Sequence, residues 1–468
     1  MASPFALSLS VSVLGAPPPY ETFYFNQPND HFHFDQVPSS DLWPQRYLLS
    51  DANWGKRPAL GNGCKGPILF YTGNEGPIDA FWAITGFVTE VLAPRFGALV
   101  VFGEERYYGK STPKSSNFEF LSTEQVLADY ANLITSLKKN LSAVNCPVIA
   151  FGGSYGGTLT TLFRLKYPHI VAGGLAASAP LGYYAPGGWA ERGVTQTTWF
   201  ETVKRVYSEA GSNCYEDLVA AVQEVNATLR KPDEAAAVAK QFGLCGVPQT
   251  PHDVDEFVFW ITEALESIPQ VDYPEASGTL PGSPVNATCT LLASPAPALV
   301  AVLAQVTLWY YGPPGDSDAR ARNSSGLAVC RPLSAARNQQ VGGGVPGDGP
   351  DGASSWGYQS CTETLHAFST VPGAWRTYEF NETALALLCE GYYGAKPRIG
   401  WLELWGGGYS IPQLSGLTNV IWSNGKRDPW HGGGERAAAC RHVPPRAADR
   451  LRAHCECMIG TAHLCRPL

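Results

Sequence analysis

Short apolar runs that end in glycine-rich turns alternate with amphipathic stretches from Trp43 onward. The runs at Pro67 to Thr72, Ala98 to Phe102 and Pro147 to Phe151 are each followed directly by a glycine. Buried parallel strands have this pattern, and functional groups lie at their carboxyl ends. We therefore predict a parallel sheet with a site at the ends of these strands.

An amphipathic helix is predicted between the last two of these runs. Ser122 and Gln125 have the spacing of a capping box, and apolar residues recur at helical spacing from Val126 to Leu137. A strand, a helix and a strand in this order are typical of a parallel sheet with right-handed crossovers. The predicted fold class is α/β.

The pattern becomes helical after about residue 185. Residues 200–310 show helical periodicity, residues 341–354 are rich in Gly and Pro and predict a linker or loop, and a strand signal returns at Asn419 to Ser423. The simplest architecture is one α/β sheet interrupted by a largely helical cap insertion. We predict four segments: a signal peptide or disordered N-terminus at 1–22, sheet parts at 23–184 and 350–468, and the cap insertion at 185–349.

Composition excludes several classes of protein. The 468 residues are 12% aromatic and 16% charged, and the net charge of −8 is not concentrated in one block. We therefore expect a globular chain that does not bind nucleic acid. No run of about twenty apolar residues occurs, so we expect no membrane span, and residues 298–311 predict a buried helix.

Cysteines and glycosylation sequons indicate the compartment. Twelve dispersed cysteines and five sequons favour an oxidising secretory environment. The close pair Cys455 and Cys457 lacks the spacing of a zinc site, and we expect no metal and no cofactor. The sequons are at Asn140, Asn226, Asn286, Asn323 and Asn381.

The sequence Gly152-Gly153-Ser154-Tyr155-Gly156 fits G-x-S-x-G, the nucleophile elbow. This turn exposes a serine hydroxyl between a strand and a helix, and flanking glycines avoid collision with both. A buried strand precedes the motif and helical spacing follows it, so we favour the elbow over a plain glycine turn. Ser154 is the candidate nucleophile.

A nucleophile elbow requires an acid and then a histidine later in the chain. Asp428 follows the strand predicted at Asn419 to Ser423, where the carboxyl edge of the sheet would place an orienting carboxylate. The alternative is a solvated turn aspartate before Pro429. Position alone does not separate these two interpretations.

Several motifs give the chain a resemblance to a known family. In collinear order over residues 23 to 434, they resemble the serine peptidase family of dipeptidyl peptidase II and lysosomal Pro-X carboxypeptidase. The resemblance implies an α/β-hydrolase with a helical cap that cleaves beside proline in lysosomes or secretory vesicles, with Ser154 as nucleophile and Asp428 as triad acid. The motifs include GNEG at 73–76, RYYGKS at 106–111, GGSYGG at 152–157, ASAP at 177–180, DYP at 272–274, SNG at 423–425 and DPW at 428–430.

Gly73, Asn74 and Glu75 lie in the loop after a strand whose following loop commonly completes an oxyanion hole, and the backbone N–H of Tyr155 would supply the other donor. Glu75 has two alternative roles. It would hold the terminal ammonium of a substrate, or it would form a structural pair, for example with Arg106.

The catalytic histidine is the least determined residue of the site. By resemblance, His463 has the local sequence expected of the base, whereas His454 fits the spacing from Asp428 better. A third alternative is an incomplete triad, since the last 29 residues contain four cysteines and are rich in Arg. The resemblance also suggests a disulfide between Cys361 and Cys389.

The leading functional hypothesis is a dipeptidyl peptidase II-like exopeptidase that releases N-terminal dipeptides with Pro or Ala at the second position through an acyl-enzyme on Ser154. The alternatives are a Pro-X carboxypeptidase and a pseudoenzyme without a complete triad, and a general esterase fits less well. The expected partners are peptide substrates, with a homodimer left open, and the expected location is lysosomal, vesicular or secreted.

Overall fold

The computed structural model describes residues 18–33, 42–57, 61, 63–113, 117–184, 190, 193–294, 298–312, 355–406 and 417–434. Seven strands in these residues form a single sheet in the order β1-β2-β4-β3-β5-β6-β7. The strands are β1 (Glu21–Pro28), β2 (Leu42–Ser50), β3 (Ile68–Thr72), β4 (Leu99–Gly103), β5 (Val148–Gly153), β6 (Gly173–Ala177) and β7 (Val420–Ser423).

The strands from β4 to β7 in this order are parallel, while β1 and β2 join one edge in antiparallel pairing. In the centre of the sheet, Phe70 of β3 lies opposite Val101 of β4 and Ala150 of β5. Every residue of β3 and β4 is buried. Because both faces of these strands are covered, the sequence shows continuous apolar runs there and no alternation.

The predicted strands at 67–72, 98–102, 147–151 and 419–423 are confirmed, and the parallel α/β sheet is that of an α/β-hydrolase. The sequence did not reveal β6, which has the small-residue sequence GGLAA. A Cβ atom added at Gly174 would lie 2.7 Å from Thr160 Cγ2. Close packing of a helix on β6 thus requires small residues, and this removes the apolar signal of the strand.

Thirteen α-helices lie in the described residues. Those before the insertion are α1 (Ile78–Ile84), α2 (Ala93–Phe96), α3 (Thr123–Asn140) and α4 (Tyr155–Lys166). The next six are α5 (Thr198–Ala210), α6 (Cys214–Leu229), α7 (Pro232–Gln241), α8 (Pro251–Ser267), α9 (Pro284–Leu292) and α10 (Leu299–Tyr311). The last three are α11 (Ser355–Thr362), α12 (Glu382–Tyr393) and α13 (Trp401–Trp405).

Helix α3 is confirmed, but its predicted capping box is wrong. Ser122 occupies the N-cap position without a side-chain hydrogen bond to the helix. Instead Glu363, which follows α11, accepts a 2.7 Å hydrogen bond from the backbone N–H of Thr123. The Gln125 side chain donates to Asp30 and accepts from the backbone N–H of His31. Tertiary contacts therefore replace the local cap.

The six helices α5 to α10 form a helical layer inside the predicted insertion 185–349. They pack mainly on one another and on the 3₁₀ turn at Pro429–Gly433. Tyr183, which follows β6, donates a 2.9 Å hydrogen bond from its hydroxyl to the carbonyl of Pro429. Helix α10 is the helix predicted at 298–311. No helix in the described part has both the length and the apolarity needed to span a bilayer.

Disulfides connect segments that are distant in sequence. Cys64 pairs with Cys146 beside the sheet, and Cys214 pairs with Cys289 between α6 and α9. Cys361 pairs with Cys389, with 5.6 Å between their Cα atoms, which confirms the predicted pair. Such bridges are typical of proteins that fold in an oxidising compartment.

Candidate active site

Ser154 lies on the sharp turn between β5 and α4. Its backbone has φ 56° and ψ −127°, a conformation that residues with a side chain rarely adopt. Its N–H donates a 2.9 Å hydrogen bond to the carbonyl of Ala177 at the end of β6. Backbone strain of this kind costs roughly 1–3 kcal/mol and is held in place by its surroundings. The turn presents the Ser154 side chain at the carboxyl end of the sheet, as a nucleophile elbow does.

Gly152 and Gly156, each two residues from Ser154, have no room for a side chain. A Cβ atom at Gly152 would lie 2.1 Å from the carbonyl oxygen of Gly156. A Cβ atom at Gly156 would lie 2.9 Å from both the Thr72 carbonyl oxygen and Asn74 Oδ1. Because strand, helix and neighbouring loop approach so closely, the motif requires glycine at both positions.

The backbone N–H groups near this turn differ in whether they are free to bind an oxyanion. Tyr155 is the first residue of α4, so its N–H belongs to the helix end that lacks intrahelical acceptors. The N–H of Gly73, in contrast, donates a 3.0 Å hydrogen bond to the carbonyl of Gly103. The Gly73 N–H is thus already used within the fold and Asn74 supplies the next N–H of the loop, while the assignment of this loop to the oxyanion hole stays a prediction.

Glu75 is buried beside this loop. Asn74 Nδ2 donates a 2.7 Å hydrogen bond to Glu75 Oε2, and desolvation raises the pKa of the Glu75 carboxyl. The expected pairing of Glu75 with Arg106 is wrong. Arg106 instead binds Asp129 through two hydrogen bonds of 2.7 and 2.8 Å.

The far side of Tyr155 is fixed by α11. Gln359 Nε2 donates a 3.1 Å hydrogen bond to the Tyr155 hydroxyl and a 2.9 Å hydrogen bond to Glu105 Oε1. Desolvation raises the pKa of Glu105 well above its ordinary value, and the nearby carboxyls Glu75 and Glu363 add to the effect. This buried network connects the elbow to a segment 204 residues further along the chain, and no pattern in the sequence indicates it.

Asp428 lies in the loop after β7, next to the 3₁₀ turn. Its Oδ1 accepts a 3.0 Å hydrogen bond from the backbone N–H of Trp430. Desolvation raises the pKa of Asp428 to about 6, although hydrogen bonds from the Ser178 side chain and Trp430 N–H oppose the rise. Since Ser178 directly follows β6, which is the strand next to β5, the acid and the elbow lie at the same end of the sheet.

Neither candidate base can be placed, because His463 and His454 lie outside the described residues. Within the described residues, no imidazole hydrogen-bonds to Ser154 Oγ or to the Asp428 carboxylate. The ring of His431 contacts the backbone of this loop, with Nδ1 2.6 Å from the carbonyl oxygen of Asp428. That contact does not orient His431 toward the carboxylate.

Aromatic side chains pack around Trp430 next to Asp428, in a largely buried group here called the aromatic cluster. The distance between ring centroids is measured from Trp430 to each neighbour. It is 5.0 Å for His366, 5.8 Å for Phe368, 6.0 Å for Trp199 and 6.1 Å for Tyr183. His366 Nε2 is buried and has no hydrogen-bond partner in the described structure, and desolvation lowers the pKa of this imidazole well below its ordinary value.

Trp430 is visible in the sequence as part of the DPW motif, but the rest of the aromatic cluster was not predicted. Its residues come from α5, from the loop after β6 and from the segment after α11, so no spacing along the chain marks them. Trp430, Tyr183 and Trp199 are buried in the cluster, whereas His366 and Phe368 are partly exposed. In the described part of the chain, no group of three or more potential metal ligands is assembled.

Comparison with known proteins places these features in a family. A family model described as serine carboxypeptidase S28 matches residues 27–464. A lysosomal Pro-X carboxypeptidase from Homo sapiens is 36% identical over 431 residues, which cover 89% of this chain and 78% of that protein. A prolyl carboxypeptidase-like protein 5 from Caenorhabditis elegans is 31% identical, and the alignment covers 89% of this chain and 80% of that protein. A thymus-specific serine protease from Mus musculus is 29% identical, over 87% of this chain and 77% of its own.

Proposed function

Because the chain belongs to the serine carboxypeptidase S28 family, and is thus a serine peptidase, we propose that it acts as a Pro-X carboxypeptidase. It would release a single C-terminal residue that follows proline. The observation that carries the proposal is the 36% identity to a lysosomal Pro-X carboxypeptidase across 89% of the chain. Dipeptidyl peptidase II activity, the leading expectation from the sequence, receives less support from these relatives.

In the proposed reaction Ser154 Oγ attacks the carbonyl carbon of proline. The base accepts the hydroxyl proton and then donates it to the leaving amine, which departs as the free C-terminal amino acid. The resulting ester between Ser154 and the prolyl carbonyl is cleaved by water. The N–H groups of Tyr155 and Asn74 would stabilise the oxyanion, and removal of one such donor typically costs about 3–4 kcal/mol.

Asp428 would orient the base and stabilise its protonated form. An imidazolium partner favours the ionised carboxylate, so it would reverse the rise of the Asp428 pKa that desolvation causes in the described residues. We assign the base to His463, with His454 as the alternative. The match to the family model supports a base in this segment, since it extends to residue 464 and so includes both histidines.

The proline ring would lie against the aromatic cluster, whose His366 and Phe368 are partly exposed. Flat aromatic faces with few polar atoms accept the pyrrolidine ring, and proline lacks the N–H that a polar subsite would have to satisfy. With the lysosomal relatives, the disulfides support a location in lysosomes or outside the cell.

The test is a comparison of two substrates. An N-blocked peptide ending in Pro-Phe should release phenylalanine, whereas a Lys-Pro amide with a free amine should react far more slowly. The opposite order would support dipeptidyl peptidase II activity. No turnover of either peptide by folded protein would support the pseudoenzyme alternative.

A further inference from the structure

A cavity borders the aromatic cluster, between the helices of the insertion and the segment after α11. It has a volume of about 630 Å³ and is here called the cap cavity. His366, Phe368 and Trp199 line it and also pack around Trp430, whose backbone N–H donates a hydrogen bond to Asp428. The cap cavity therefore lies on the other side of this aromatic cluster from the candidate acid.

The charges that line the cap cavity do not balance. Arg376 donates to both oxygens of Glu266, from Nε at 2.8 Å and from Nη2 at 2.6 Å. These two residues compensate each other. Glu263 receives a 3.1 Å hydrogen bond from the Tyr311 hydroxyl. No ion pair of Glu263 is formed within the described residues, and the charge of Arg376 acts on it only from a greater distance.

Glu263 is almost fully buried, with 6% of its surface exposed. Desolvation raises the pKa of its carboxyl to about 7. A buried carboxylate without a cation is costly, and a positively charged ligand would supply the missing partner. His366 Nε2, which is also buried and has no hydrogen-bond partner in the described structure, is a further polar atom where the cap cavity meets the aromatic cluster.

The cavity also has aromatic walls that favour a cation. Trp199, Phe200, Phe259 and Trp375 line it, and the guanidinium of Arg376 already lies over the rings of Phe259 and Phe200 at 4.7 and 5.5 Å. Aromatic faces attract ammonium and guanidinium groups. An unpaired carboxylate inside an aromatic enclosure thus selects a cationic group over an anionic or neutral one.

We propose that the cap cavity binds a cationic group of the peptide substrate, an ammonium or a guanidinium, on the amino-terminal side of the proline, with Glu263 as its counter-ion. The direction rests on the proposed function. In carboxypeptidase cleavage the residue after proline bears the terminal carboxylate, which Glu263 would repel. The cavity must therefore serve the residues before proline. The cation has two sources, the side chain of Lys or Arg before proline and the α-ammonium of a short peptide.

Equilibrium binding to full-length protein with Ser154→Ala separates binding from turnover. The ligands are acetyl-Lys-Pro-Phe, acetyl-norleucyl-Pro-Phe and norleucyl-Pro-Phe with a free amine, measured at about pH 8 so that Glu263 is ionised. We expect roughly tenfold or more tighter binding of a cationic peptide than of the neutral one, as for a hydrogen bond to a charged group. Preference for the acetyl-lysyl peptide identifies the side chain, and preference for the free amine identifies the α-ammonium.

Glu263→Gln should abolish this preference. Glutamine has the same size and keeps an acceptor for Tyr311, so the cavity is retained. The matched control is Glu256→Gln, the same substitution on the same helix, where the side chain lies outside the cap cavity and pairs with His252. The control should keep the full preference.

Equal affinity for all three peptides would overturn the inference, and so would a preference that survives Glu263→Gln. Because binding of the three ligands to the otherwise unaltered cavity is compared first, the inference can fail even if Glu263→Gln does not fold. Hydrolysis of acetyl-norleucyl-Pro-Phe by the active chain tests the proposed function separately. Absence of phenylalanine release there would refute carboxypeptidase activity and leave the binding result to decide on the cavity.

Discussion

Replacement of Glu363 by glutamine tests how a buried carboxyl behind the candidate site controls stability. Glu363 Oε1 accepts hydrogen bonds from the backbone N–H and the hydroxyl of Thr123, at 2.7 and 3.2 Å. Its Oε2 is buried without a hydrogen bond in the described structure, and Arg398 Nη2 lies 3.9 Å away. Desolvation, with a smaller contribution from Glu124, raises the pKa of Glu363 from 4.5 to about 8.

The direction of the pH effect follows from this rise. Between about pH 4.5 and pH 8 the folded chain retains a proton that the unfolded chain releases. The stabilisation is therefore complete below pH 4.5 and is lost as the pH rises through 8. At about 1.4 kcal/mol for each pH unit, the loss is at most about 5 kcal/mol. Glu263, whose pKa is raised to about 7, acts in the same direction.

Glu363→Gln keeps the acceptor for Thr123 but cannot ionise. Calorimetric unfolding at about pH 5 and about pH 8 should show similar stability of variant and wild type at the acidic pH and a more stable variant at the alkaline pH. Glu224→Gln, at an exposed position on α6, should follow the wild type at both. An identical pH dependence of Glu363→Gln and wild type would refute the reasoning, as would a variant that is less stable at both pH values.

Three further variants test the site and the fold. Gly156→Ala places a Cβ atom 2.9 Å from a neighbouring carbonyl oxygen. We therefore expect at least about a hundredfold loss of activity and equally slowed labelling of Ser154 by a fluorophosphonate. Labelling at the wild-type rate would contradict this. Asp428→Asn should fold, because asparagine keeps an acceptor for the backbone N–H of Trp430. The variant should have a kcat on an N-blocked Pro-Phe peptide that is roughly 10³- to 10⁴-fold lower. A loss of kcat below about tenfold would exclude the acid role. Joint replacement of Cys361 and Cys389 by serine removes a disulfide between residues 28 positions apart, so the free energy of unfolding should fall by roughly 3.5 kcal/mol. Unchanged stability in calorimetry would contradict this.

The sequence predicted those parts of the fold that are determined locally. Buried central strands need apolar residues on both faces, so β3, β4 and β5 were visible as continuous runs. The elbow was visible because close packing demands glycine at both flanking positions. Strand β6 was missed for the same physical reason, since its contact with α4 leaves room only for small side chains.

Features made by distant segments could not be predicted in this way. The cap of α3 comes from Glu363, the support of Tyr155 comes from Gln359, and the aromatic cluster combines residues from four segments. Each contact depends on how the chain returns to the sheet after the insertion. The mistaken pairing of Glu75 with Arg106 has the same origin, because Asp129 on α3 reaches the guanidinium first.

The proposed role of Ser154 is tested most directly by the position of the covalent adduct that a fluorophosphonate forms with the folded chain. Mass-spectrometric mapping should find the adduct on Ser154, and the reaction should be lost in Ser154→Ala and strongly slowed in Asp428→Asn. Folded protein that carries no adduct at Ser154, or that carries it on another serine, would contradict the account.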